Sequence, residues 1–335
     1  MATRYIPIAV KIILGGLAVA LFAMALFSGC GQKNPTQPLT GFIFVSSSIP
    51  GAAIFLDEED SQQVTPDTLK DVPIGSHTVR VDLEGYVSSP QEVTVSVGQV
   101  VEAVFIMSSA RVVLLEHFTS VNCMPCPATN EIINGLLETL GPEKVVGLEY
   151  HPWEGDPFYE AASFENITRN TYYGVSTIPV LFVDGVISPG STDSLAMFAA
   201  VESRLAEPSP AIIAVTDTVT GSTWRGTARI IGLENVVSSD LRGFFVILER
   251  EIHLSQAPGI NGEKDFYYVM REIRPQAHGE EGMNVAAGDT LYRLEETELQ
   301  PGWNGEQILS VYFLQDYLSK EVLAAGSSMY AGLSR

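Results

Sequence analysis

Cys123-Met124-Pro125-Cys126 is the stretch of this 335-residue chain whose side chains and spacing are suited to redox chemistry. A CxxC pair at the start of a helix places its two thiols one turn apart, where the first turn leaves N–H groups unpaired and carries partial positive charge. A thiolate at Cys123 is favoured there, with a pKa below that of a free cysteine. Cys126, one turn on, can attack a mixed disulfide and release the partner. Pro125 and Pro127 suit a first turn, where a missing N–H costs little. Zinc would need four ligands, and no second CxxC or HxxxH follows, so no metal is expected. Pro127 stands where a haem attachment would need histidine, and no other cofactor is expected. The chain has three cysteines, and the third, Cys30, is remote, so this is no disulfide-stapled scaffold. From these residues alone, the pair is either a redox couple or a small structural bridge.

The elements that must position the pair are legible around it. Residues 111–118 read as a buried strand, followed by helical spacing in Ile132, Ile133, Leu136, Leu137 and Leu140 that ends at Gly141-Pro142. Residues 145–150 read as a second strand and 159–173 as helical. Val180-Leu181-Phe182-Val183 reads as a strand closed by Asp184-Gly185, a hairpin signal, and 193–205 as an amphipathic helix. Ile178-Pro179 stands just before a strand, where proline cannot donate to a ladder.

This order, with CxxC and Ile178-Pro179 in place, resembles the thioredoxin fold and implies an α/β thioredoxin-like domain over residues 110–207. The resemblance implies a cis bond at Ile178–Pro179 facing the cysteines, with the peptide before Pro179 pairing with substrate backbone. It implies roles for Cys123 as attacking thiolate and Cys126 as resolving thiol. Glu116 or His117 lies near where thioredoxins keep a buried acid that assists proton transfer, unless either is simply a polar residue at a strand end. The long gap from Cys126 to Pro179 implies an insertion around 151–173. His151 ends the second strand and reads as a loop histidine or a groove residue; Tyr172 and Tyr173 read as packing. Glu116-His117-Phe118-Thr119, Cys123-Met124-Pro125-Cys126-Pro127, His151, Tyr172-Tyr173-Gly174-Val175 and Ile178-Pro179 narrow the resemblance to the Omp28-related family of thioredoxin-fold outer-membrane proteins. Phe313-Leu314-Gln315-Asp316 and Lys320-Glu321-Val322-Leu323 share in it.

The flanks differ in character. Residues 41–108 alternate apolar and polar positions between turn signals, as a small antiparallel sandwich would. Ser48-Ile49-Pro50-Gly51-Ala52-Ala53-Ile54-Phe55-Leu56-Asp57, Thr65-Pro66, Pro73-Ile74-Gly75 and Gly85-Tyr86 resemble the PEGA domain, which implies a module without known catalysis, a spacer or, as the alternative, a ligand-binding unit. Residues 209–335 hold short β-rich runs at 211–216, 224–231, 243–250, 266–273, 290–294 and 309–315. They predict a C-terminal all-β sandwich without a catalytic constellation. The expected fold class is therefore multidomain, with an all-β sandwich on either side of the α/β domain.

Residues 1–29 combine Arg4 and Lys11 with an apolar run and read as a signal peptide. Leu26-Phe27-Ser28-Gly29-Cys30 resembles the bacterial lipobox, which implies acylation at Cys30 and a polar tether over 30–40. No acidic residue directly follows Cys30, which by the same resemblance points to the outer membrane. Loss of Arg4 and Lys11 with the leader takes the net charge from −21 to −23. Such acidity excludes nucleic acid, which needs clustered Lys and Arg, and repels anionic headgroups. Membrane attachment must then be hydrophobic or covalent. The expected function is thiol–disulfide exchange with envelope proteins that carry thiols or disulfides. The alternative is a non-catalytic lipoprotein in which the pair is a standing disulfide.

Overall fold

The computed structural model describes residues 39–329. The leader, Cys30 and most of the tether lie outside the described residues. The described chain is mostly β-sheet and multidomain.

The N-terminal domain comprises β1 (Thr40–Ser47), β2 (Ala53–Leu56), β3 (Glu59–Val64), β4 (Asp67–Pro73), β5 (Gly75–Asp82), β6 (Tyr86–Val87), β7 (Gln91–Val95), β8 (Val100–Phe105) and β9 (Ser108–Ser109). Sheets of order β4-β1-β8 and β3-β2-β5-β7 enclose a core that includes Ile43, Val45, Ile54, Val79, Val81 and Phe105. Alternation in β1 and β8 makes this core, each strand burying every second residue. The expected all-antiparallel sandwich needs one correction, because β1 and β8 pair in parallel. β3 escapes a hydrophobic reading because it is a polar edge strand with little burial. Gly85, at φ +79°, lies where a Cβ would enter the Ile212 side chain, so the domain seats closely against the C-terminal region.

Next come β10 (Val113–Phe118), α1 (Cys126–Leu140), β11 (Val145–Tyr150), α2 (Pro157–Ala161), α3 (Ser163–Tyr173), β12 (Val180–Val183) and α4 (Ser194–Leu205). β10 and β11 are buried at every position and pair in parallel, as strands covered on both faces do, although β10 carries Glu116 and His117 and β11 carries Glu149. β12 runs antiparallel to β10, with Val180 opposite Phe118. The helical stretch expected over 159–173 is two helices, broken at Ala162. The hairpin at Asp184-Gly185 returns only as a single bridge from Val183 to Ile187.

The last third contains β13 (Ala211–Thr220), β14 (Thr223–Gly232), β15 (Leu241–His253), β16 (Asp265–Arg274), β17 (Thr290–Glu298), β18 (Ile308–Asp316) and β19 (Val322–Ser327). A sandwich forms here, but its larger sheet does not belong to the C-terminal region alone. β16 pairs with β11 at Glu149 and Val269, giving one seven-stranded sheet of order β12-β10-β11-β16-β15-β18-β19. The smaller sheet, β13-β14-β17, packs on it through Trp224, Ile230, Phe245 and Tyr312. The boundary expected at 207–209 is thus a change of covering layer and not a break in the sheet.

Candidate thiol site and the network behind it

Cys123 and Cys126 are joined in a disulfide with Cα atoms 5.4 Å apart. Cys126 opens α1 with Pro125 as N-cap, and the first turn holds no acidic residue to oppose the positive helix end. α1 buries Cys126, Thr129, Asn130, Ile133, Leu136 and Leu137, one face at helical spacing. Cys123 retains 8% of its surface and Cys126 none, whereas Met124 between them is 66% exposed. The Cys123 N–H donates to the Ser120 carbonyl at 3.1 Å, fixing the loop that leads from β10 to the pair. The Ile178–Pro179 bond is cis, and it leads directly into Val180 opposite Phe118. The Pro179 segment therefore starts beside the loop that carries the cysteines.

Adjacent residues of β10 go opposite ways. Leu114 and Phe118 belong to the core toward Tyr173 of α3, whereas Val113 and Leu115 pack with Ile133, Leu136 and Leu137 of α1. Glu116 shares the first face and is fully buried in an ion pair with Arg169. It also accepts hydrogen bonds from the hydroxyls of Tyr150 and Tyr173. Glu116 is thereby removed as a proton-transfer group, since it faces away from the cysteine helix and is engaged by a buried guanidinium. His117 takes the α1 side, where His117, Asn130 and Glu149 line one small cavity. Burial, followed by repulsion from His151, pushes the His117 pKa down to about 3, and its Nε2 has no hydrogen-bond partner.

His151 is buried between two carboxylates, with Nδ1 2.8 Å from Asp156 and Nε2 2.9 Å from Glu149. Burial alone would lower its pKa; the hydrogen bonds to Asp156 and Glu149 outweigh it and raise the value to about 9. His151 is therefore an imidazolium donating from both nitrogens. Asp156 caps α2 by accepting from the Phe158 N–H and also accepts from the Val121 N–H at 2.9 Å. The Glu149–His151–Asp156 chain thus ends on the backbone of the cysteine loop.

The C-terminal region supplies the remaining wall, which the sequence did not disclose. The segment 254–264, between β15 and β16, crosses the cysteine loop. The Asn261 N–H donates to the Val121 carbonyl at 3.1 Å, and its Nδ2 donates to the Ser120 carbonyl at 3.2 Å. Gly259 lies so close to the Val121 backbone that no Cβ would fit. Asn130 of α1 donates to Glu263 at 2.9 Å and accepts from the Thr119 hydroxyl. Nothing local in Asn261-Gly262 indicates what that loop will cover. Among the described residues no cluster of His, Cys, Asp or Glu could hold a metal ion.

The two histidines set a pH optimum for stability. His151 titrates near 6.5 when unfolded and about 9 when folded, so its contribution is complete below pH 6.5 and is lost as pH rises through about 9. His117 acts in the opposite sense: its contribution is complete above 6.5 and declines as pH falls toward about 3. Urea midpoints should peak near pH 6.5, with an alkaline loss on the order of 3 kcal/mol. His117→Leu should flatten part of the acid limb, and a wild-type profile level from pH 6.5 to 9 would contradict the assignment of His151.

The N-terminal sandwich can now be placed among known domains. Residues 40–107 match the PEGA domain. The PEGA match stops before β10, so it does not extend to the thiol site. The chain is similar in structure to HBP35 of Porphyromonas gingivalis, with a TM-score of 0.57 at 17% identity, covering 65% of this chain and 74% of that one. This likeness shows a shared fold. A domain of the outer membrane lipoprotein Omp28 from the same organism aligns over 36% of this chain and 86% of its own length, at 18% identity and a TM-score of 0.26. No curated protein matches the chain in sequence.

Proposed function

We propose that the unit from β10 to α4 is a thioredoxin-like module that carries out thiol–disulfide exchange in the cell envelope. Cys123 acts as the attacking thiolate and Cys126 as the resolving thiol, and the Ile178-Pro179 segment receives the partner's backbone. One arrangement supports this reading: a closed CxxC disulfide at an uncompensated helix N-terminus, with a cis Ile178–Pro179 bond leading into the strand that pairs with β10 just before the cysteine loop. The partners are envelope proteins with thiols or disulfides. Acylated Cys30 tethers the chain to the membrane, in keeping with its leader, and the PEGA domain is a spacer between anchor and thiol site. Among the described residues no helix is long and apolar enough to cross a membrane.

The test is a redox titration of the mature chain against glutathione buffers, read by alkylation and mass. A working couple should equilibrate within the range of known exchange proteins, about −270 to −120 mV. A couple that stays oxidised below about −300 mV would mark the pair as a structural disulfide and favour a non-catalytic lipoprotein. The same mass spectra read the N-terminus, where an intact leader or an unmodified Cys30 would end the anchoring proposal.

A further inference from the structure

We propose that the N-terminal domain seats the outer face of its sheet β4-β1-β8 on the zwitterionic lipid surface that anchors the chain. The proposal rests on the anchoring reading above and goes beyond it, since a spacer needs no apolar face. Alternating strands place every second residue outward, and on a solvated sheet those residues are polar. The other sheet of this domain obeys that rule, with Thr78, Arg80, Glu92 and Thr94 outward. Phe55 in that sheet is covered by the Arg80 guanidinium, 3.9 Å from the ring centre.

Sheet β4-β1-β8 breaks the rule. β1 turns Ile43 and Val45 to the core and Phe42 and Phe44 outward. β8 turns Ala103 and Phe105 to the core. Val100, Val104 and, just beyond the strand, Ile106 are each more than half exposed. The parallel register sets Phe42 beside Val100 and Ser46 beside Val104, so these side chains form one strip. Glu102, beside Phe44, is the acid that β8 contributes to it. At interface depth its carboxylate meets the ammonium of a zwitterionic headgroup.

The point of chain entry selects the occupant. Thr40 begins β1, and its carbonyl accepts from the Gly98 N–H of the turn between β7 and β8. Exposed Leu39 and Val97 stand at that end with Val100, so the strip begins where the tether joins. Cys30 is ten residues before Thr40, a reach of at most about 36 Å. The eight residues of β1 extend about 26 Å. The tether is therefore long enough for the strip to lie flat on the surface, and too short to let its entry end leave by more than that reach. Residues 31–38 carry Lys33 and no acid, and the acidic run Asp57-Glu58-Glu59-Asp60 belongs to the other sheet and its turn. The negative net charge opposes anionic lipid, which leaves a zwitterionic surface as the partner for an apolar face.

The experiment uses the full mature chain, purified from the envelope without reductant and reconstituted in phosphatidylcholine vesicles. With Cys30 acylated and Cys123 bonded to Cys126, Ile106→Cys supplies the free thiol for a fluorescent dye. Thr94→Cys, on the other sheet, is the reference. Spin-labelled phosphatidylcholine in the vesicles quenches a dye that reaches the acyl boundary. The dye at position 106 should be quenched several-fold more than the dye at position 94. That difference should persist in 1 M salt, where the Debye length is about 3 Å, because the contact is apolar. Val100→Glu with Val104→Glu, added to the Ile106→Cys chain, should lower the docked fraction about tenfold or more. Equal quenching at positions 106 and 94 on an acylated chain overturns the proposal alone. A dimer of the solubilised chain that Val100→Glu with Val104→Glu abolishes would give the face to a second copy and overturn it as well. Dye found by mass on Cys30 would instead sink the anchoring reading, and the proposal with it.

Discussion

Cys126→Ser should leave the protein locked to its partners, recoverable from the envelope as mixed disulfides that reductant dissolves, whereas Cys123→Ser should recover none. The asymmetry follows from position. Cys123 precedes the first turn of α1 and keeps a sliver of exposed surface, while Cys126 is the first helical residue and is wholly buried. The unpaired N–H groups of the first turn favour a thiolate at Cys123, and each unit of pKa depression raises the thiolate fraction about tenfold while the group remains mostly protonated. Without Cys126, the adduct on Cys123 has no internal thiol to resolve it. Adduct yield from non-reducing gels, compared across the single variants and the double variant, measures the effect. Equal trapping by both variants would mean that the two thiols are chemically alike, and trapping by neither would leave the pair as a structural bridge.

A second large effect is expected far from any chemistry. Arg169 is 1% exposed, yet it carries a full charge held by Glu116 through Nε at 3.1 Å and also through Nη2. Its Nη1 donates to Gln315 of β18 at 3.0 Å. Glu116→Ala should cost about 3–5 kcal/mol, because it strands a buried guanidinium beside Phe244 and Phe313. Replacing both partners with apolar residues, Glu116→Leu with Arg169→Met, should cost much less than the sum of the single losses. Urea denaturation of the mature chain reads both. Single and double variants with additive losses would show that the pair is not coupled. The glutathione equilibrium constant should stay close to wild type in the double variant, since Glu116 faces away from α1.

The contrast between Glu116 and His117 also shows where sequence reading stopped. Alternation normally tells which residues of a strand share a face, but β10 is apolar on both sides, so either parity was permissible and the two polar residues could not be assigned. Helix α1 was legible because its Ile133, Leu136 and Leu137 repeat on one face, and Pro179 because proline cannot sit inside a ladder. The break at Ala162 was not legible, because the residues on both sides of it suit a helix. The pairing of β11 with β16 joins Glu149 to Val269 across a long sequence separation, and strand composition does not name a distant neighbour. Asn261 and Glu263 were missed for the same reason, since their partners Ser120, Val121 and Asn130 were set by that pairing.

The shared sheet also imposes an order of events on a chain that emerges N-terminus first. Both cysteines leave the ribosome well before residues 241–274, which provide the neighbouring strands and the segment across the cysteine loop. For that interval β11 has an open edge and the cysteine loop lacks the segment that crosses Ser120 and Val121. The pair is then more accessible to external oxidants and partners than it will be again, and arrival of β15 and β16 closes that period.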